Sequence, residues 1–365
     1  MASQDDKRAI LGKALEVLVT RARSGRAPCR IGLMAAGGEH SDTEFLSAAA
    51  AAMKEDASLT VVGVGPRPAG LVPAGMDWIE TPDCEADIAA AMEKALDSKG
   101  ADALEGAVAL HYPFPLGVTT VGRVMSPGTG APMFVASSTG ISAAHRQEAM
   151  LRNAVLGVAV AKSLGICRPS LGVLNLDAAP QVLRALTRMV EKGYALNLGQ
   201  SVRGDGGSLL RGNDLLCGAV DVCVADTLTG NVLIKMLSSF TTGGSFESTG
   251  YGYGPGIGRD YDKLVLIISR ASGAPLIANA LSFADELVRG GVQKIAKAEF
   301  ALADKAGLEE LLRQKREASA PAAAKAEVSR GLRLLRGIKI RNFGVFPNYF
   351  FDDMAWLALS SHRLN

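Results

Sequence analysis

Short apolar runs that alternate with segments of helical period predict an α/β protein built on a largely parallel sheet. A composition that is 48% apolar but only 5% aromatic, with 41 glycines, points the same way. Strands separated by helices need crossover connections, and Ala, Val, Leu and Gly suit close packing of helices on a sheet buried on both faces. The 365 residues exceed the roughly 250–300 at which single cores stop growing, so the core is expected to be large, with room for two lobes.

Residues 6–23 carry Ile10, Leu11, Ala14, Leu15 and Leu18 at helical spacing among Lys and Arg, which predicts a leading amphipathic helix. CRIGLM then reads as a buried strand running into the glycine turn AAGGEHSD. TEFLSAAAAAMKED follows as a helix of strong formers, and LTVVGVGP (59–66) as the next strand. The alternation continues through helix DIAAAMEKALDSKG, strands GAVALHY and PMFVASST, and the long helix AHRQEAMLRNAVLGVAVAKSLG. Strand SLGVLNLD, helix PQVLRALTRMVEKG, strand VDVCVADT, a helix from Asn231 and strand DKLVLIIS complete the pattern. The apolar helical run 281–303 is a candidate surface for pairing with a second copy. Beyond residue 315, QKREASAPAAAKAEVSRG reads as a linker, and the tail behind it is rich in aromatics. The expected division is therefore 1–315 and 316–365.

Charge and cysteine usage exclude several classes. A net charge of +2, from 39 basic and 37 acidic side chains, leaves no excess for neutralising nucleic acid or an anionic membrane. Charges interrupt the N-terminal stretch, and no run reaches the roughly 18 apolar residues of a membrane span, so a cytoplasmic protein is expected. Cys29, Cys84, Cys167, Cys217 and Cys223 form no CxxC pair, which argues against both a disulfide framework and a zinc site. Cys84, in TPDCEAD between Asp83 and Glu85, is the candidate reactive thiol. Cys167, Cys217 and Cys223 adjoin apolar residues and read as small hydrophobes.

The chemistry is expected where strands end, since helix N-termini and loop amides there hold anions. In DVCVADTLTGNVLIKM, Asp226 closes a strand and Thr227, Thr229, Gly230 and Asn231 follow, with Lys235 one turn on. Hydroxyls donate to phosphate oxygens and glycine lets the backbone approach closely, although a plain turn with a helix cap would use the same residues. Two further loops match: Gly37, Gly38 and His40 in AAGGEHSD, and Ser137, Ser138 and Thr139 in VASSTGIS. Convergence of all three on one sheet edge would make a phosphate or phosphoanhydride site. The segment GGSFESTGYGYGPGIGRDYD reads as a glycine loop over that site, offering Arg259 to an anion, or as a plain surface connection. His111, beside two prolines, and His40 are acid–base candidates with a structural alternative. Neither a Walker sequence, a Ser-His-Asp order, HExxH nor a metal cluster occurs.

VDVCVADTLTGNVLIKM, preceded by GNDLLCG, resembles the phosphate acyltransferases of phospholipid synthesis, as do GLMAAGGEHSD and GVLNLD. ALHYPFPLGVTTVGRVMSPGTGAPMFVASSTGISAAHRQEAMLRNAVLGVAVAKSLGI and ESTGYGYGPGIGRDYDKLVLIISRASGAPLIANALSFA are similar to the alpha subunit of component C of glycine/sarcosine/betaine reductase, a likeness spanning roughly residues 5–315. The resemblance implies a three-layer Rossmann-like fold akin to isopropylmalate dehydrogenase and phosphotransacetylase. It also implies formation of acetyl phosphate from an acetyl thioester derived from a carboxymethyl selenoether, with inorganic phosphate as co-substrate and no cofactor or metal. Implied partners are a thiolase-like beta subunit and the selenoprotein component A, in a homo- or hetero-oligomer. Mapped here, Thr229, Gly230 and Asn231 orient phosphate and Lys235 neutralises it. The resemblance further implies a C-terminal cysteine segment as acyl carrier, whereas RGIKIRNFGVFPNYFFDDMAWLALSSHRLN stands there without cysteine. The alternatives are a stand-alone phosphate acyltransferase and a non-catalytic docking subunit.

Overall fold

The computed structural model describes residues 27–68, 72–137, 143, 145–204 and 206–319, with side chains as far as 313. The expected leading helix and aromatic tail lie outside these residues. The chain divides into a unit of Met1–Arg313 and a unit of Gln314–Asn365, and the following concerns the first.

Among the described residues twelve strands form one sheet: β1 (Cys29–Met34), β2 (Leu59–Gly65), β3 (Asp77–Glu80), β4 (Gly106–Ala109), β5 (Thr119–Met125), β6 (Pro132–Ser137), β7 (Ser170–Leu174), β8 (Asn197–Leu198), β9 (Leu209–Leu210), β10 (Val222–Val224), β11 (Gly254–Gly258) and β12 (Tyr261–Ile267). Their order is β3-β2-β1-β4-β12-β11-β5-β6-β10-β7-β8, with β9 also on β7. From β3 to β12 every pairing is parallel, and so is every pairing from β6 onward. Three successive antiparallel pairings, β12–β11, β11–β5 and β5–β6, lie between these blocks. Three reversals leave the two blocks running in opposite directions.

The helices are α1 (Asp42–Glu55), α2 (Glu85–Asp97), α3 (Arg146–Ser163), α4 (Ala179–Glu191), α5 (Gly212–Cys217), α6 (Thr227–Ser239), α7 (Ala274–Arg289), α8 (Val292–Lys305) and α9 (Leu308–Ser319). Alternate strand residues serve opposite faces, as a period of two requires. Val222 and Val224 join a core with residues of α1, α3, α4, α7 and α8, while Cys223 and Ala225 join Ile234 of α6 on the other face. Ile88 and Met92 of α2 pack on that second face with Met34, Val64 and Val265. The result is the α/β three-layer fold with a mostly parallel sheet. Truncating a fully buried side chain such as Phe283 or Phe300 to alanine removes about 3–5 kcal/mol in such a core.

Three expectations are corrected. The run 281–303 is two helices, parted at Gly290–Gly291, and its Leu281, Phe283, Leu287, Val292, Ala296 and Phe300 are buried inside the molecule instead of forming a pairing surface. The second half of the glycine-rich segment is no loop over a site: Gly254–Gly258 is a fully buried strand. Glycine is required there because a Cβ on Gly254 would lie 1.9 Å from the Val121 carbonyl oxygen, and one on Gly256 would lie 2.2 Å from the Phe114 ring. Lastly, the helix expected from Asn231 begins four residues earlier, at Thr227.

Candidate functional site

The strand that breaks off at Asp226 does so because Asp226 is the N-cap of α6. Its backbone is extended (φ −79°, ψ 168°) and its Oδ1 accepts the Thr229 N–H at 2.8 Å. The local reading of TLTGN as a capped helix start is therefore correct, and Thr227, Thr229 and Gly230 lie in the first turn. Arg146 at the start of α3 places its Nε 3.6 Å from Asp226 Oδ2, which offsets the cap's negative charge. The positive end of a helix dipole and its uncommitted N–H groups are what favours an anion at a helix start in general.

Ser137, last residue of β6, faces this turn. It is 1% exposed, its Oγ has no hydrogen-bond partner among the described residues, and a Cβ on Gly230 would fall 2.3 Å from that Oγ. A polar chain buttresses the strand ends from behind. The Thr119 hydroxyl is 2.8 Å from the Ser137 carbonyl oxygen and 2.6 Å from Asn153 Oδ1, and Asn153 Nδ2 donates to the Ala225 carbonyl at 3.3 Å. Asn153 and Thr119 are not among the residues the sequence predicts for the site, although an asparagine ahead of the apolar stretch AVLGVAVA is a signal. Ser138 and Thr139 lie outside the described residues. Asn231 is half-buried in the second turn, and its side chain has no hydrogen-bond partner among the described residues.

Gly37, Gly38 and His40 do not join this cluster, which corrects the expected convergence of three loops. β1 and β6 are five inter-strand steps apart and point in opposite directions, a lateral offset of about 24 Å at the usual spacing. The glycine loop instead closes on the end of β12. The Glu39 N–H donates to the Arg270 carbonyl at 2.8 Å, His40 Nε2 is 3.4 Å from the Ala271 carbonyl oxygen, and the His40 ring meets Phe246 edge-on at 5.9 Å. Gly37 (φ +85°) and His111 line a small cavity of about 60 Å³ with Asp83, Glu85 and Arg270, and the exposed Cys84 lies between the two acids as N-cap of α2. Cys84 and His111 thus share the edge of the glycine loop, away from Thr229 and Gly230. Cys223 is buried as expected, with its thiol pushed up to about 12 by burial and then by Asp214, while Cys167 is exposed.

Lys235 spans part of the gap. It projects from α6 toward Glu247, with Nζ 3.6 Å from Oε1, and Glu247 belongs to the segment stitched to the end of β12. Arg259, in contrast, is not available to an anion. Its guanidinium is paired with Asp304 and Glu309, both at 2.9 Å, and lies over the Phe300 ring. Among the described residues no group of His, Cys, Asp and Glu is placed to hold a metal, and no helix is long and apolar enough to cross a membrane.

The α/β fold with a mostly parallel sheet and flanking helices is shared with a solved phosphotransacylase. A branched-chain phosphotransacylase from Enterococcus faecalis V583 superposes with a TM-score of 0.51 over 71% of this chain and 99% of that one, at 18% identity, a likeness of fold. The chain itself belongs to the fatty acid synthesis protein family, whose model matches residues 29–339. It is 45% identical over 309 residues to the glycine/sarcosine/betaine reductase complex component C subunit alpha of Peptoclostridium acidaminophilum, covering 84% of this chain and 78% of that protein. It is also 28% identical to a phosphate acyltransferase of Thermobifida fusca (strain YX), over 60% of this chain and 68% of that protein.

Proposed function

We propose that this chain is an acyltransferase subunit of a reductive complex acting on glycine, sarcosine or betaine, and that it passes an acetyl group from a thioester to inorganic phosphate. The observation that carries the reading is the meeting of β6 and β10 with α6: a helix start capped by Asp226, with the buried and unpartnered hydroxyl of Ser137 against Gly230. A phosphate oxygen attacks the thioester carbonyl, the C–S bond breaks, and the proton of hydrogen phosphate ends on the departing thiol. The products are acetyl phosphate and free thiol. The helix start and the hydroxyls of Thr227 and Thr229 hold the dianion in place, Asn231 orients it, and Lys235 offsets its charge.

In this reading the acetyl group reaches the site on a partner's thiol, and the partners are a thiolase-like beta subunit and the selenoprotein that carries the carboxymethyl group. Cys84 and His111, on the glycine-loop edge, serve as thiol and acid–base groups only if a substrate arm reaches across the sheet. The similarity to a phosphate acyltransferase favours, as a second reading, a stand-alone enzyme that takes its acyl group from a carrier protein or coenzyme A. The test is arsenolysis: the purified chain with acetyl phosphate and arsenate, with and without coenzyme A. Thiol- and arsenate-dependent loss of acetyl phosphate supports transfer. No loss, even after addition of the beta subunit, leaves a docking role instead.

A further inference from the structure

Glu247 is 1% exposed, yet its carboxylate is only half used. Oε1 accepts the Tyr253 hydroxyl at 3.2 Å and faces Lys235 Nζ at 3.6 Å, while Oε2 is buried with no partner among the described residues. The group is held rigidly. The Glu247 N–H donates to the Ala271 carbonyl, the Gly273 N–H donates to the Glu247 carbonyl, and Ser248 and Thr249 bond to carbonyls near the end of α6. Lys235, by contrast, sits on an exposed stem, and its ion pair is long. A buried acid oxygen without a donor is rare enough to need an explanation.

Resting on the acyl-transfer reading, we propose that Glu247 is a specificity-determining residue that selects hydrogen phosphate over sulfate. Asn231 and Lys235 are four residues apart on α6, so they line one helix face about 6 Å apart along the axis. An anion that draws Lys235 away from Oε1 presents itself to the Glu247 carboxyl group. An ionised carboxylate only accepts hydrogen bonds, so it repels an oxyanion unless that anion brings a proton. Hydrogen phosphate carries a P–OH and donates it, whereas sulfate at neutral pH has no proton to give. The same P–OH is the proton that acyl transfer must release, and its hydrogen bond to Glu247 leaves the attacking oxygen bare.

The test uses the full chain and isothermal titration with sodium phosphate and with sodium sulfate at matched ionic strength. The wild type is expected to bind phosphate at least about tenfold more tightly than sulfate, the worth of one hydrogen bond to a charged group. Glu247→Gln, whose amide donates as well as accepts, is expected to bring the two affinities within about twofold. Lys235→Met, at an exposed position, weakens both anions and keeps their ratio, and it holds the proposal to account where Glu247→Gln does not fold. Equal binding by the wild type, a ratio unchanged in Glu247→Gln, or a ratio abolished by Lys235→Met overturns the role of Glu247 and leaves the acyl-transfer reading standing. Failure of the wild type to bind either anion overturns both.

Discussion

Gly230 and Ser137 meet so closely that a Cβ on Gly230 would lie 2.2 Å from the Ser137 Cβ. Alanine at 230 would gain about 1 kcal/mol of helix propensity, but overpacking against a strand end costs about 1–3 kcal/mol. The contact is far inside van der Waals distance, so packing wins. Gly230→Ala is expected to lower the midpoint of urea unfolding, and adding Ser137→Gly to restore most of the loss. A double variant no more stable than Gly230→Ala alone would place the strain elsewhere.

Asp226 is expected to matter as a cap. Asp226→Ala strips the Thr229 N–H of its acceptor and should cost about 1 kcal/mol in unfolding free energy, while Asp226→Asn, which keeps an oxygen, should cost a few tenths. Equal losses for the two would mean that the charge facing Arg146, at 3.6 Å, matters more than the cap.

Asn231→Ala separates site from scaffold. The side chain has no partner among the described residues, so unfolding free energy should move by less than about 0.5 kcal/mol, whereas arsenolysis of acetyl phosphate should fall about 10²-fold or more if Asn231 orients the anion. Undiminished turnover would show that Asn231 plays no part in transfer.

Asp214 supplies a pH dependence. Burial pushes its carboxyl up, but the Arg211 and Val202 N–H groups and the Ser201 hydroxyl outweigh burial and hold it below the ordinary 3.8. A depressed carboxyl contributes stability that is fully present above the unfolded value and is lost as pH falls through the folded one. Asp214→Asn should therefore be less stable than the wild type at pH 7, with the gap narrowing below about pH 4. A gap that holds constant into acid would remove the carboxylate's charge as the cause.

Much of the architecture was legible because its strands are buried on both faces. CRIGLM, LTVVGVG and VDVCV are dominated by apolar residues, and the helices between them carry strong formers. Legibility failed where residues suit a loop but tertiary packing makes a strand. GPGIG, the whole of β11, has Ile257 as its single strand-favouring side chain among three glycines and a proline, and TTVGRVM, which forms β5, lies between glycine- and proline-rich stretches. Those two strands supply the antiparallel steps that invert half of the sheet. Without them, Gly37, Ser137 and Thr229 are naturally assigned to one edge; with them, the glycine loop points the opposite way from the other two. The sequence places the start of α6 four residues late because Thr and Gly are weak formers, although Asp226 three residues before Thr229 is a capping spacing. Glu247 was hidden for another reason: its significance lies in burial beside Lys235, twelve residues earlier, which no local pattern shows.

The central claim is that one anion site lies where β6 and β10 meet α6, and it is most directly tested by locating a bound oxyanion. Crystals soaked in arsenate and measured at the arsenic edge should show an anomalous peak within hydrogen-bonding reach of Thr229, Asn231 or Ser137. A peak at Gly37–His40 with none beside α6 would contradict the account.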